Sequence, residues 1–202
     1  MQIKDWKKEI FTIPNVLSMI RLALIPLYIY IYLNAKTDAH YYISAGILAV
    51  SCLTDLIDGQ IARRCNMIST LGKMLDPFAD KATQFTLIIC LAIRRNLPLL
   101  WLLIALFVAK EGFQLIAGSL TLRKGKILAG AILPGKICTA VLFLSLVVMI
   151  MLPRLSDNIV NLLVIIDGVF MIISFFAYIL VYAGKIQFIQ NIENTNVKKT
   201  AD

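Results

Sequence analysis

At 202 residues, 59% of them hydrophobic, and with a mean hydropathy of +0.82, the chain is too apolar for a soluble domain, where about 45–50% is usual. Its formal net charge of +8 is scattered among apolar runs, which argues against nucleic acid as a partner and fits basic ends facing anionic lipid headgroups. Cys52, Cys65, Cys90 and Cys138 lie far apart with no CxxC pair, which argues against a zinc site or a disulfide framework.

Residues 1-12 carry Trp6 and lysines beside Ile3, Ile10 and Phe11, the mixture expected of a short helix lying on a membrane surface. No small-residue cleavage site follows the first apolar run, so a cleavable signal peptide is not expected. Ile13-Pro14-Asn15 breaks the chain. Span one then runs from about Val16 to Leu33, with Arg21 one turn inside and Pro26 at mid-span. Span two, from about Tyr41 to Ala62, ends in Asp55 and Asp58. Span three, from about Leu71 to Ile93, begins with Asp76 and Asp80, and Arg94-Arg95-Asn96 closes it.

Span four covers Leu97 to about Leu122 and carries Lys110 and Glu111. Span five covers about Ile127 to Leu152, with Pro134-Gly135-Lys136 near its start. Span six covers about Ile159 to Tyr182, with Asp167 inside, for which a hydrogen-bonded structural partner on another helix is expected. The polar end from Lys185 to Asp202 is expected to fray. The predicted fold is thus all-α, a polytopic membrane protein with six transmembrane helices and a short N-terminal interfacial helix. Its single domain covers 13-186, between a juxtamembrane segment at 1-12 and a polar tail at 187-202.

Six spans put both termini and the turns after spans two and four on one side. That side holds thirteen Lys and Arg, among them Arg63, Arg64, Lys73, Arg123 and Lys124, against Lys36, Arg94, Arg95 and Arg154 opposite. The positive-inside rule therefore predicts a multi-pass protein of the cell membrane with termini and aspartates facing the cytoplasm.

Asp55 and Asp58 are three apart, and Asp76 and Asp80 four apart, so each pair shares a helical face. A short turn between them lets two neighbouring helices aim four carboxylates at one point. Such a group repels itself and resists desolvation, so it stays ionised only around cations. The pattern predicts a metal site for more than one divalent ion. An all-oxygen donor set favours Mg²⁺, with Mn²⁺ acceptable, two per site in two-metal chemistry.

The full spacing, DxxDGxxARx8GxxxDxxxD through Asp55, Asp58, Gly59, Ala62, Arg63, Gly72, Asp76 and Asp80, resembles the signature of the CDP-alcohol phosphatidyltransferases. The resemblance implies transfer of the phosphatidyl group of CDP-diacylglycerol to an alcohol, with release of CMP. It implies Asp55, Asp58 and Asp76 as metal ligands. Asp80 would be the general base, also reaching the second ion. Asp55, Gly59, Ala62, Arg63 and Gly72 would face CDP-diacylglycerol. It further suggests a homodimer.

Ile13-Pro14-Asn15, Arg21, Pro26 and the run Leu75 to Lys81 are similar to the bacterial phosphatidylglycerophosphate synthases of that family. The expected acceptor is therefore glycerol 3-phosphate, with Arg21, Lys81, Lys110, Arg123 and Lys136 as candidates for its phosphate. The alternative is a cardiolipin synthase of the CDP-alcohol type, which shares nearly the same run and takes phosphatidylglycerol. Lys110 stands where the glycerophosphate enzymes tend to have arginine, which loses a bidentate fork. Lys110 has a second reading, pairing with Glu111, and Lys81 has one as neutraliser of the aspartates. A divalent-cation transporter or a membrane scaffold with a metal clasp would use the four acids too. The transporter leaves Gly59 to Arg63 unexplained, and transport sites usually lie nearer mid-membrane; a bound ion without nucleotide affinity would favour the scaffold.

Overall fold

The structure, a computed structural model, describes residues 13–64, 70–123, 126–128, 132–183 and 189–191. The expected surface helix at 1-12 lies outside them. Within the helices, the side chains of residues 13–15, 52, 53, 55–64 and 70–76 are also outside that description.

Among the described residues there are six long helices: α1 (Ile13–Leu33), α2 (Asp38–Arg64), α3 (Thr70–Arg95), α4 (Pro98–Arg123), α5 (Leu133–Met151) and α6 (Asp157–Tyr182). Four contain stretches long and apolar enough to cross a membrane: Val16–Leu33 of α1, then Pro98–Arg123, Leu133–Met151 and Asp157–Tyr182. Only 22–39% of each stretch is buried, and large apolar side chains such as Leu115, Leu144 and Phe176 face outward. That arrangement is unfavourable in water and favourable in lipid. The chain is a membrane protein with an all-helical body. Against the six expected spans, four such stretches lie among the described residues, and α2 and α3, whose side chains are described only in part, are not among them. These are the two helices that carry the aspartate pairs.

Two three-residue strands, β1 (Lys126–Leu128) and β2 (Ile189–Asn191), pair antiparallel with Ile127 opposite Gln190. Part of the polar tail is therefore tied down by backbone hydrogen bonds rather than frayed.

The chain divides into two compact units. One comprises Met1–Asn96 with Leu146–Leu155, the other Leu97–Ser145 with Ser156–Asp202. In the first, α1 packs against both α2 and α3. Its buried residues include Tyr28, Tyr32, Leu87, Ile88 and Leu91. Tyr28 stacks on Tyr32 at 5.4 Å between centroids, and Tyr32 meets Tyr41 edge-on at 5.6 Å. Asn96 ends α3 with φ 49°, the left-handed conformation asparagine tolerates well, and its N–H caps the Ala92 carbonyl.

Arg94 and Arg95 run against the charge bias of their side, and their hydrogen bonds account for both. Arg94 donates to the Tyr41 hydroxyl at 2.7 Å and to the Ala35 carbonyl. Arg95 donates to the carbonyls of Pro153 and Leu155, both at 2.8 Å. These cations close loops, and Arg154 pairs with Asp38.

In the second unit α4 packs on α6. Val160, Val164, Asp167, Met171, Ser174, Tyr178 and Val181 form a buried stripe at three- and four-residue spacing along α6. Asp167 accepts a hydrogen bond from Ser145 of α5 at 2.9 Å, the inter-helix structural partner expected for it. Cys90 and Cys138 are buried and form no disulfide. Cys52 and Cys65 lie outside the described side chains.

Candidate active site

α2 runs through Asp55 and Asp58, and α3 through Asp76 and Asp80, so both pairs hold the helical spacing on which a shared face depends. The two helices have α1 as a common neighbour. The side chains of Asp55, Asp58, Gly59, Ala62, Arg63, Gly72 and Asp76 lie outside the described residues. Among the residues that are described, no three His, Cys, Asp or Glu side chains come together, and three of the four aspartates are not in that set.

Asp80 is described, and its partner is informative. Arg21 Nη1 of α1 donates to Asp80 Oδ1 at 2.5 Å. The Arg21 side chain is 3% exposed and that of Asp80 47%, so the carboxylate opens to its surroundings while the cation behind it is enclosed. A guanidinium is costly to bury and always charged, and a charge-assisted bond to a carboxylate offsets that cost. Arg21 is thus tied to the predicted base, a pairing that the reading of Arg21 as an acceptor-phosphate residue missed. The available signal was the position of a lone cation inside an apolar span, where a counter-ion is the default expectation.

The other cations expected at the acceptor phosphate fall into two groups. Lys81 adjoins Asp80 on α3, half-buried. Lys110, Arg123 and Lys136 belong to the second unit. Lys110 extends the buried stripe of Leu100, Leu103 and Phe107 on α4, and its Nζ donates to Glu111 at 2.7 Å. Its reading as half of an ion pair is the one that the structure supports. Arg123 is exposed in the last turn of α4, where the helix dipole favours a cation. Lys136 is exposed in the first turn of α5.

Gly135 precedes Lys136 for a steric reason. A Cβ there would meet the Tyr178 hydroxyl at 2.5 Å and the ring at 2.9 Å. Ile132, Tyr178 and Val181 form a small core with Phe113 and Tyr182 against it, so the ring has little room to retreat. Tyr178 escaped the sequence reading, because nothing near it in the chain marks it.

The CDP-alcohol phosphatidyltransferase family pattern matches residues 11–185. The chain belongs to that family. Membership makes it a phospholipid-synthesising transferase, in agreement with the signature.

Among curated relatives of this CDP-alcohol phosphatidyltransferase is a cardiolipin synthase (CMP-forming) of Streptomyces coelicolor. It is 39% identical over 121 residues, which are 58% of this chain and 54% of that protein. A cardiolipin synthase/mitochondrial hydrolase fusion protein of Schizosaccharomyces pombe is 44% identical over 95 residues, 46% of this chain and 15% of the relative. The human cardiolipin synthase (CMP-forming) is 46% identical over 72 residues, 35% of this chain and 23% of the relative. The matches span about half the length of these relatives or less.

These names overturn the expected acceptor, glycerol 3-phosphate. Relatives in bacteria and eukaryotes alike are cardiolipin synthases, which favours the alternative. The run from Leu75 to Lys81, on which the expectation rested, is nearly the same in both acceptor classes and so does not separate them.

Proposed function

We propose that this chain is a CDP-diacylglycerol-dependent cardiolipin synthase, transferring the phosphatidyl group to the free headgroup hydroxyl of phosphatidylglycerol. The observation that carries this reading is the eight-position signature on two helices that both pack on α1, in a family member whose matched relatives are cardiolipin synthases.

Asp80 takes the proton from the acceptor hydroxyl. The oxygen then bonds to the phosphorus bearing diacylglycerol, the bond from that phosphorus to CMP breaks, and CMP leaves. Arg21 fixes the carboxylate from behind and leaves its open side to the substrate. Gly59 and Gly72 let the nucleotide and its diphosphate approach the helices, Ala62 leaves room, and Arg63 contacts donor phosphate.

Asp55, Asp58, Asp76 and Asp80 would hold the divalent ions. An all-oxygen, anionic donor set on two helices sharing a neighbour fits Mg²⁺ or Mn²⁺. Such ions supply charge neutralisation at the diphosphate.

In this reading all six helices span the cell membrane. Charge bias puts the aspartates and both termini at the cytoplasmic face. The enzyme works as a homodimer, which light scattering of the purified protein tests.

The deciding assay follows CMP release from CDP-diacylglycerol with Mg²⁺ or Mn²⁺. Phosphatidylglycerol should support release and yield cardiolipin, whereas inositol phosphate should not. Asp80→Asn should abolish turnover while nucleotide binding persists. Release with no alcohol present, or none with phosphatidylglycerol, would overturn the assignment.

A further inference from the structure

Within the first unit a small crevice lies open along one side. Leu24 and Ile25 of α1, Ile47 and Leu48 of α2 and Leu87 of α3 make its walls hydrocarbon. Arg21 lines it as well, the same buried cation that touches Asp80. An apolar cleft and a guanidinium beside the predicted base thus form one continuous surface.

Tyr28 adds a second, independent observation. It lines the crevice and is 3% exposed, and its hydroxyl has no hydrogen-bond partner among the described residues. A buried hydroxyl left in that state costs free energy until an acceptor reaches it. A small hydrophilic alcohol gains nothing from leucine and isoleucine walls. A lipid acceptor must bring hydrocarbon with its headgroup.

We propose that this crevice seats the glycerol ester and first methylenes of one acyl chain of the anionic phospholipid acceptor, with its phosphate toward Arg21. Tyr28 donates to an ester carbonyl. Seven residues of helix separate Arg21 from Tyr28, about 10 Å of rise, which matches the reach from a lipid phosphate past its esters into the chain. A guanidinium presents its donors in a planar fork that matches the oxygens of a phosphate. The headgroup hydroxyl then lies at Asp80. This assignment rests on phosphatidylglycerol being the acceptor.

Two measurements on the full-length protein test it. Phosphatidylglycerol carrying a diazirine near the ester end of one chain should label α1, α2 and α3 around the crevice. Unlabelled phosphatidylglycerol should compete. Ser51→Leu, which fills the crevice from α2, should cut labelling at least fivefold and raise KM for phosphatidylglycerol at least tenfold, with KM for CDP-diacylglycerol within twofold. Tyr28→Phe, the milder change, should raise the same KM threefold or more. Labelling elsewhere, or a rise confined to the donor KM, overturns the crevice assignment in an enzyme that still makes cardiolipin. A wild-type enzyme that makes no cardiolipin sinks the acceptor reading itself, and the crevice assignment with it.

Discussion

Arg21 of α1 and Asp80 of α3, 59 residues apart in sequence, meet at 2.5 Å between Nη1 and Oδ1. The first apolar helix therefore does more than anchor the chain. It supplies the cation that fixes the orientation of the predicted base. Arg21→Ala should reduce CMP release at least tenfold, equivalent to about 1.4 kcal/mol of barrier. Arg21→Lys should recover only part of it, since the charge returns without the planar fork. Steady-state CMP release from the two variants checks this, and activity within twofold of wild type in Arg21→Ala would refute it.

Gly135 and Tyr178 make a steric prediction. Gly135→Ala should lower stability in detergent by about 1–3 kcal/mol, the usual cost of overpacking. Tyr178→Phe removes the atom nearest to the added methyl but leaves ring carbon at 2.9 Å, so it should rescue part of the loss. A double-mutant cycle of thermal melts measures the coupling, and strict additivity would rule out the contact.

Asp167 is treated as a structural residue. Its carboxylate is buried and accepts from Ser145. Ser145→Ala should cost about 0.5–1 kcal/mol, in the range of hydrogen bonds between membrane helices. Asp167→Asn should keep most CMP release. If Asp167→Asn folds and melts normally yet loses turnover, the residue belongs to the chemistry.

Arg95 is predicted to matter for stability and not for turnover. Its guanidinium reaches two loop carbonyls, those of Pro153 and Leu155, and a lysine ammonium cannot span both in the same plane. Arg95→Ala should lower the melting temperature by several degrees, for a loss of about 1–3 kcal/mol. KM for both substrates should stay unchanged. A melting curve that overlays wild type would count against the clamp.

What the chain order alone determined was everything of short range. Helical spacing of Asp55 with Asp58 and of Asp76 with Asp80, the apolar runs, and the eight-position signature are local patterns. They carried the family, the all-helical membrane body and the donor chemistry. The acceptor was misread from that same order because the run from Leu75 to Lys81 is nearly the same in both acceptor classes. The tertiary structure alone decided the pairs between helices: Arg21 with Asp80, Arg95 with the Pro153 and Leu155 carbonyls, Ser145 with Asp167, and Gly135 under Tyr178. Each depends on the axial register of one helix against another. That register is fixed by the packing of whole apolar faces and by loop lengths, and no window a few turns long contains it.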